Sequence, residues 1–320
     1  MLKLSRREVI ISSAAAAAAF GADRRIALIP SAMAQKAPAA GFHKFKVGDI
    51  EVTTIFDGIW EKAHDPGFIK NASVEDTKAA LKTAGMDESK VTIPFTVTVV
   101  KSGGKTVMFD AGTGGQLSPL AGKLADNMKA AGIDPAKIDT IAVTHYHADH
   151  IFGLMAKDTN AQVYPNAEII VPAAEHGFWT DAGIFAKLPE ARHGLAKRIQ
   201  ATLPTWKNVK QVEGEREIAP GIRALAAPGH TPGHTVYVVG SGKDVMIVLA
   251  DTSNIPALFV RNPGWHAAFD ADPVLAEQNR RKLFDRAVAD KIIVTGYHYG
   301  QPGAGTFQKD GAGYAFVPLV

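Results

Sequence analysis

Thr144-His145-Tyr146-His147-Ala148-Asp149-His150 places three imidazoles and one carboxylate within six residues, directly after an apolar run ending at Val143. Imidazole nitrogen and carboxylate oxygen form the donor set of zinc and its divalent neighbours, and a loop leaving a strand can aim alternate side chains into one cleft. His145 and His147, two residues apart, can share one ion. Asp149 and His150 are then left for a second, because a tetrahedral ion does not readily take four ligands from so short a stretch. Two metals are therefore expected. Further ligands must come from a distance, and three candidates each follow a strand-like run or a turn. These are His234 in Pro228-Gly229-His230-Thr231-Pro232-Gly233-His234, Asp251 after the run 245–250, and His298 after the run 292–295. The 320 residues contain no cysteine, which excludes thiolate ligands and thiol nucleophiles.

Residues so far apart can meet only if a sheet carries them to a common edge. Apolar and β-branched runs predict strands over 50–56, 94–100, 106–109, 140–144, 168–171, 235–239, 245–249 and 291–295, and helical patterns fit 118–131, 172–180, 191–202 and 273–289. Strands thus alternate with helices in two successive batches. An α/β protein with packed sheets and outer helices is expected. Asp110 ends the run 106–109 just before Gly112. It can accept a hydrogen bond from a ligating imidazole and fix that ring's tautomer, or it can brace the local turn; the first reading is preferred.

With these residues in place, the chain resembles the metallo-β-lactamase-fold hydrolase superfamily, which carries a His-x-His-x-Asp-His loop followed by a distant His, Asp and His. Phe109-Asp110-Ala111-Gly112 and the turn Pro228 to His234 are similar to further superfamily motifs. The stretches 110–132 and 141–154 and the ending Gly313-Tyr314-Ala315-Phe316-Val317-Pro318 look most like methyl parathion hydrolase-like members. The resemblance runs from about Phe42 to the C-terminus and implies an αββα sandwich with a metal cleft at one edge of two packed sheets.

Carried over by position, the resemblance implies His145, His147 and His234 as ligands of one metal and Asp149, His150 and His298 as ligands of the other. Asp251 would bridge them, and His230 would support the turn or a ligand without touching metal. Two divalent ions follow, zinc first, with manganese, cobalt or iron as substitutes. A hydroxide shared between ions about 3.5–4 Å apart would be the nucleophile. Asp149 is a candidate to pass a proton to the leaving group. His43, His64, His176, His193 and His266 match no motif position and read as surface or packing residues.

The expected activity is hydrolysis of an ester, lactone or phosphotriester, a small-molecule substrate. True β-lactamases of this superfamily put Cys or Ser where Asp251 stands, so that activity is disfavoured. A mononuclear iron oxygenase of the persulfide dioxygenase type is the alternative, but retention of His150 and His298 argues for two occupied sites. Phe178, Trp179 and Phe185 are candidates to wall an apolar pocket. Core packing competes equally for Phe178 and Phe185, whereas the resemblance favours Trp179 for the pocket. Leu117 stands where methyl parathion hydrolase-like members carry an aromatic ring, and Thr252-Ser253-Asn254 replaces a more apolar stretch. Both departures shift the expectation from phosphotriesters toward a lactone or ester.

Arg6-Arg7 ahead of the alanine run Ala14 to Ala19 has the layout of a twin-arginine export signal, with Ala32-Met33-Ala34 as a cleavage site. A leader over 1–34, a single domain over 35–320 and a periplasmic location are expected. The leader holds five basic and two acidic side chains, an excess that equals the whole-chain net of +3. The rest is therefore near neutral, which argues against nucleic acid as a partner. Asp23-Arg24-Arg25 interrupts the leader's apolar segment and argues against stable membrane insertion. A homodimer is left open.

Overall fold

The computed structural model describes residues 41–320; the expected leader lies outside them. Among the described residues, Phe42–Val47 (β1), Ile50–Lys62 (β2), Val91–Ser102 (β3), Lys105–Phe109 (β4), Thr140–Ala142 (β5), Glu168–Pro172 (β6) and Val209–Val212 (β7) form one sheet in chain order. Arg216–Ala219 (β8), Ile222–Ala226 (β9), Thr235–Ser241 (β10), Asp244–Ala250 (β11), Ile293–Gly296 (β12), Ala304–Asp310 (β13) and Gly313–Pro318 (β14) form the second, also in chain order. Both sheets are mixed. Strands β4 to β7 pair in parallel, as do β11 and β12, and the remaining neighbours are antiparallel.

Period-two alternation explains the layering. Met108, Ile141 and Ile169 face one cluster, shared with Trp179, Ala196 and Ile199 of the covering helices, while their chain neighbours Phe109, Ala142 and Ile170 face the space between the sheets. Across that space stand Tyr237, Val239, Met246 and Val248. The alternate residues Val238, Ile247 and Leu249 turn outward onto Leu283, Phe284 and Ala287 of the helix Pro273–Ala289. Each sheet is therefore buried on both faces, and the order helix, sheet, sheet, helix is the expected αββα sandwich. A fully buried Val, Ile or Phe in such a layer is worth roughly 1.5–3 kcal/mol over leaving it exposed.

One expected helix is shorter than its pattern. Helix forms over Leu124–Ala130 rather than from Ser118, because Gly122 takes φ +95° and breaks the turn ahead of it. The buried Asp57 carboxylate then accepts the Leu124 and Thr113 N–H groups at 2.9 and 2.8 Å, tying both ends of the intervening loop to β2. The helix Val74–Thr83 was not expected. Its start carries a capping box, Ser73 with Asp76 three residues later.

Candidate metal centre

Strand ends and one turn deliver the site. β4 stops at Phe109 just before Asp110, β5 at Ala142 ahead of Thr144 and His145, β11 at Ala250 just before Asp251, and β12 at Gly296 ahead of His298. β4 runs parallel to β5 and β11 to β12, so each pair delivers its side chains at a common edge. The backbone is forced at two of these exits: Asp110 has φ +62° and Ala250 φ +46°. Such a left-handed residue is uncommon outside glycine. β11 also slips its register against β12 between Val248 and Ala250, and the irregularity re-aims Asp251 toward the cluster.

His145, His147, His230 and Asp251 each offer an atom to a first group, and Asp149, His150 and His298 to a second; within each group these atoms all lie within 4.8 Å of one another. In the first group, His147 Nδ1 is 3.0 Å from His145 Nε2 and 2.9 Å from His230 Nε2, and His230 Nε2 is 3.2 Å from Asp251 Oδ2. In the second, Asp149 Oδ2 lies 3.3 Å from His150 Nε2 and 3.5 Å from His298 Nε2. Asp251 reaches both groups, since its Oδ1 is 3.1 Å from His150 Nε2 and its Oδ2 3.1 Å from His298 Nε2.

A metal fits this donor set for a structural reason. His150 Nε2 and Asp251 Oδ1 are buried and close, yet neither makes a hydrogen bond. Two polar atoms left so would cost roughly 1–3 kcal/mol each, a penalty that a cation held between them removes. The far nitrogens are anchored as ligand imidazoles require. His150 Nδ1 meets Asp110 Oδ2 at 2.7 Å, His230 Nδ1 meets Asp270 Oδ1 at 2.8 Å, and His298 Nδ1 donates to the Pro94 carbonyl at 2.8 Å. His145 Nδ1 meets Thr144 Oγ1 at 3.0 Å, and that hydroxyl donates onward to Asp110 Oδ2.

Electrostatics points the same way. Burial and the neighbouring imidazoles hold His145 and His147 well below the ordinary histidine range, which leaves them neutral. Burial also works against charge on His150, but Asp149, Asp251 and Asp110 outweigh it and raise that ring well above the range. At His230 burial is outweighed by Asp251 and Asp270, which push it up to about 9. Against the same burial, His298, His150 and His230 hold Asp251 well below the carboxylate range. The same carboxylates that favour charge on His150 and His230 thus make the cluster a place where a cation is favoured.

Residues 95–298 match the family model of the metallo-beta-lactamase superfamily. The chain belongs to that superfamily. It is 28% identical over 172 residues to an N-acyl homoserine lactonase of a Bacillus species, a match covering 54% of this chain and 60% of the relative. It is 29% identical over 199 residues to the N-acyl homoserine lactonase AttM of Azorhizobium caulinodans, covering 58% of this chain and 67% of the relative. Among solved structures, the dizinc quorum-quenching lactonase AidC, in complex with a product, superposes with a TM-score of 0.82 at 26% identity, over 88% of this chain and 98% of that one. The hydrolase AbOPH of the β-lactamase superfamily superposes with a TM-score of 0.81 at 25% identity, over 88% and 99%.

Within this superfamily fold the two histidines of the Pro228 to His234 turn exchange their expected roles. His230, not His234, brings a ring nitrogen into the first group. His234 spends both nitrogens on backbone: Nδ1 donates to the Ala227 carbonyl at 3.0 Å and Nε2 accepts from the Asp251 N–H at 3.2 Å. The cause is chain direction. His234 immediately precedes β10 and is locked between the ends of β9 and β11, whereas His230 sits at the apex of the turn, bonded through its carbonyl to the Ala271 N–H. Burial and the adjacent His230 lower His234 to about 3, so it stays neutral as this bonding requires.

The expected pocket wall is corrected too. Trp179 is fully buried, and its Nε1 donates to Glu175 Oε1 at 2.7 Å, so it packs beneath His147 instead of facing a ligand. Phe178 and Phe185 are half-buried against the same core, and Leu117 is exposed on the loop after Gly115. Asp110 does bond the far side of His150, as preferred. His43, His64, His176, His193 and His266 join neither group.

Residues with no motif support the site. Glu175 is wholly buried and accepts from Tyr146 N, Trp179 Nε1, Thr231 Oγ1 and Gly233 N, joining the histidine loop to the turn. Gly233 is required there, since a Cβ would sit 2.0 Å from the Glu175 nitrogen. Asp270 holds His230 and is itself met by buried Arg280 at 3.4 Å. Asp270→Asn keeps the shape but weakens the carboxylate's grip on His230. Its expected effect is a loss of about 10–100-fold in metal affinity, measured by competition with a chromophoric chelator.

Proposed function

We propose that the protein is a dinuclear-metal hydrolase that opens lactones, with N-acyl homoserine lactones as the first substrates to test. The observation that carries this reading is the position of Asp251, whose two oxygens reach both ligand groups. The assigned ligands are His145, His147 and His230 for one ion and Asp149, His150 and His298 for the other, with Asp251 common to both. Two divalent ions so held supply Lewis acidity and lower the pKa of water from about 15.7 toward ~7. N-acyl homoserine lactonases among the relatives, and a dizinc lactonase among the structural neighbours, support the substrate class.

The chain's own groups have defined tasks in this reaction. Water adds to the ring carbonyl carbon, the ring C–O bond breaks, and the products are an alcohol, which takes one proton of the water, and a carboxylate, the other proton passing to solvent. Asp149 is the ligand carboxylate with most access to solvent, its side chain 19% exposed. It takes the proton released on attack and returns one to the leaving alkoxide. Asp110, Asp270 and the Pro94 carbonyl keep the imidazoles oriented throughout, so little reorganisation is needed. The leader pattern supports export, and a periplasmic location belongs to the same proposal.

Initial rates of zinc-loaded protein on N-hexanoyl homoserine lactone, an aryl ester and a phosphotriester, each with and without chelator, test the reading. The lactone is expected to be fastest by at least about 10-fold and to stop with chelator. A dominant phosphotriester rate, or lactone turnover indifferent to chelator, would sink it.

A further inference from the structure

The far nitrogens of His145, His150, His230 and His298 each meet a group able to accept a proton's hydrogen bond: a hydroxyl, two carboxylates and a carbonyl. His147 is the exception. Its Nε2 faces Nη1 of Arg192 at 3.2 Å, and a guanidinium only donates. A neutral imidazole has one donor and one acceptor nitrogen. With the Nδ1 lone pair committed to the cluster, the ring proton sits on Nε2, and Arg192 then confronts another donor. The contact with Arg192 and the use of Nδ1 as a ligand are therefore incompatible.

Arg192 ends the short turn Glu190–Arg192 and reaches across to the loop before the helix Pro273–Ala289, where Nη2 donates to the Phe269 carbonyl at 3.2 Å. It is half-buried, and among the described residues no carboxylate comes within ion-pair distance of it. The nearest acid in that loop, Asp270, is already engaged by His230, Arg280 and the Ala267 N–H. A guanidinium is thus held at the edge of the site next to His147, with one partner that metal loading removes.

We infer that Arg192 is a product-binding residue: with His147 Nδ1 serving as a ligand, its guanidinium would be free of that ring and would hold the carboxylate of the ring-opened product, anchored through the Phe269 carbonyl. A planar fork of N–H donors matches a carboxylate in two parallel bonds, which an uncharged lactone cannot offer. The inference rests on the hydrolase reading for the identity of the product, but not for the presence of an anion site.

The test compares wild type, Arg192→Met and Arg192→Lys, all zinc-loaded, by calorimetric titration with N-hexanoyl-L-homoserine and with hexanoate. Zinc affinity is read separately by chelator competition. Arg192→Met is expected to weaken both carboxylates by on the order of ten-fold while tightening zinc, because a bond that opposes loading is gone. Arg192→Lys should recover part of the carboxylate affinity; a merely structural role would predict neither that recovery nor tighter zinc. Equal hexanoate affinity in wild type and a folded Arg192→Met protein would overturn the proposal. Wild type that binds zinc and both carboxylates in an Arg192-dependent way, yet opens no lactone, would support Arg192 while removing the lactonase reading.

Discussion

Replacing His230 by alanine is expected to release one of two bound metal ions and to abolish turnover, whereas His234→Gln should keep both ions. His230 Nε2 lies among the ligand atoms, 2.9 Å from His147 Nδ1 and 3.2 Å from Asp251 Oδ2, and its far side is braced by Asp270. Losing a ligand must cost more than losing such a brace, which is worth roughly 10–100-fold. A fall in kcat/KM of about 10³-fold or more is therefore expected. His234 serves the backbone, through Ala227 and Asp251. Removing its ring altogether leaves a buried carbonyl and N–H unpaired, at about 1–3 kcal/mol each. His234→Ala should accordingly lower Tm with metal content retained, and glutamine, which can donate and accept, should recover part of the loss. Metal stoichiometry by mass spectrometry together with thermal melts separates the two histidines. Two ions in His230→Ala and one in His234→Ala would restore the opposite assignment.

Sequence alone does not separate this pair. Gly229-His230-Thr231-Pro232-Gly233-His234 presents two imidazoles four residues apart in one turn, and spacing cannot say which ring faces inward. The deciding facts are tertiary: β10 begins at Thr235, and the turn bonds to the loop around Asp270 through the Ala271 and Asp272 N–H groups. The compact run from His145 to His150 was legible because its density of donors has few other uses, and Asp251 and His298 because each follows a run of strand-forming residues. The strands of the central layers were legible for a related reason. Met246 to Leu249 is a continuous apolar stretch, and Val97 to Val100 is an unbroken β-branched one in which Thr98 is buried with the valines, as strands buried on both faces require. Edge strands such as β1 and β8, with exposed lysines and arginines, carry no such signal. Glu175 and Arg280 look like ordinary solvated charges on helices. Both are buried, because other segments close over them: the Thr231–Gly233 turn over Glu175, and the carbonyls of Thr252, Pro263 and Trp265 over Arg280.

Asp251→Asn is expected to have the second of the two largest effects, and it tests the paired character of the site. The substitution keeps volume and one acceptor oxygen but removes the negative charge and replaces the other oxygen with a donor. Both oxygens are in use: Oδ1 faces His150 Nε2 at 3.1 Å, and Oδ2 faces His230 Nε2 at 3.2 Å and His298 Nε2 at 3.1 Å. An amide NH2 cannot bind a cation, so at least one group loses a ligand whichever way the side chain turns. The charge matters as much, because Asp251 is the carboxylate common to both groups and the remaining imidazoles are neutral donors once metal is bound. The expected result is no more than one ion per chain, with turnover reduced by about 10³-fold or more. Asp149→Asn should be milder for metal retention, since Asp149 reaches only the second group and is partly exposed. If Asp251→Asn kept two ions and turned over normally, the two groups would have to be independent sites, and the common carboxylate would not be what unites them.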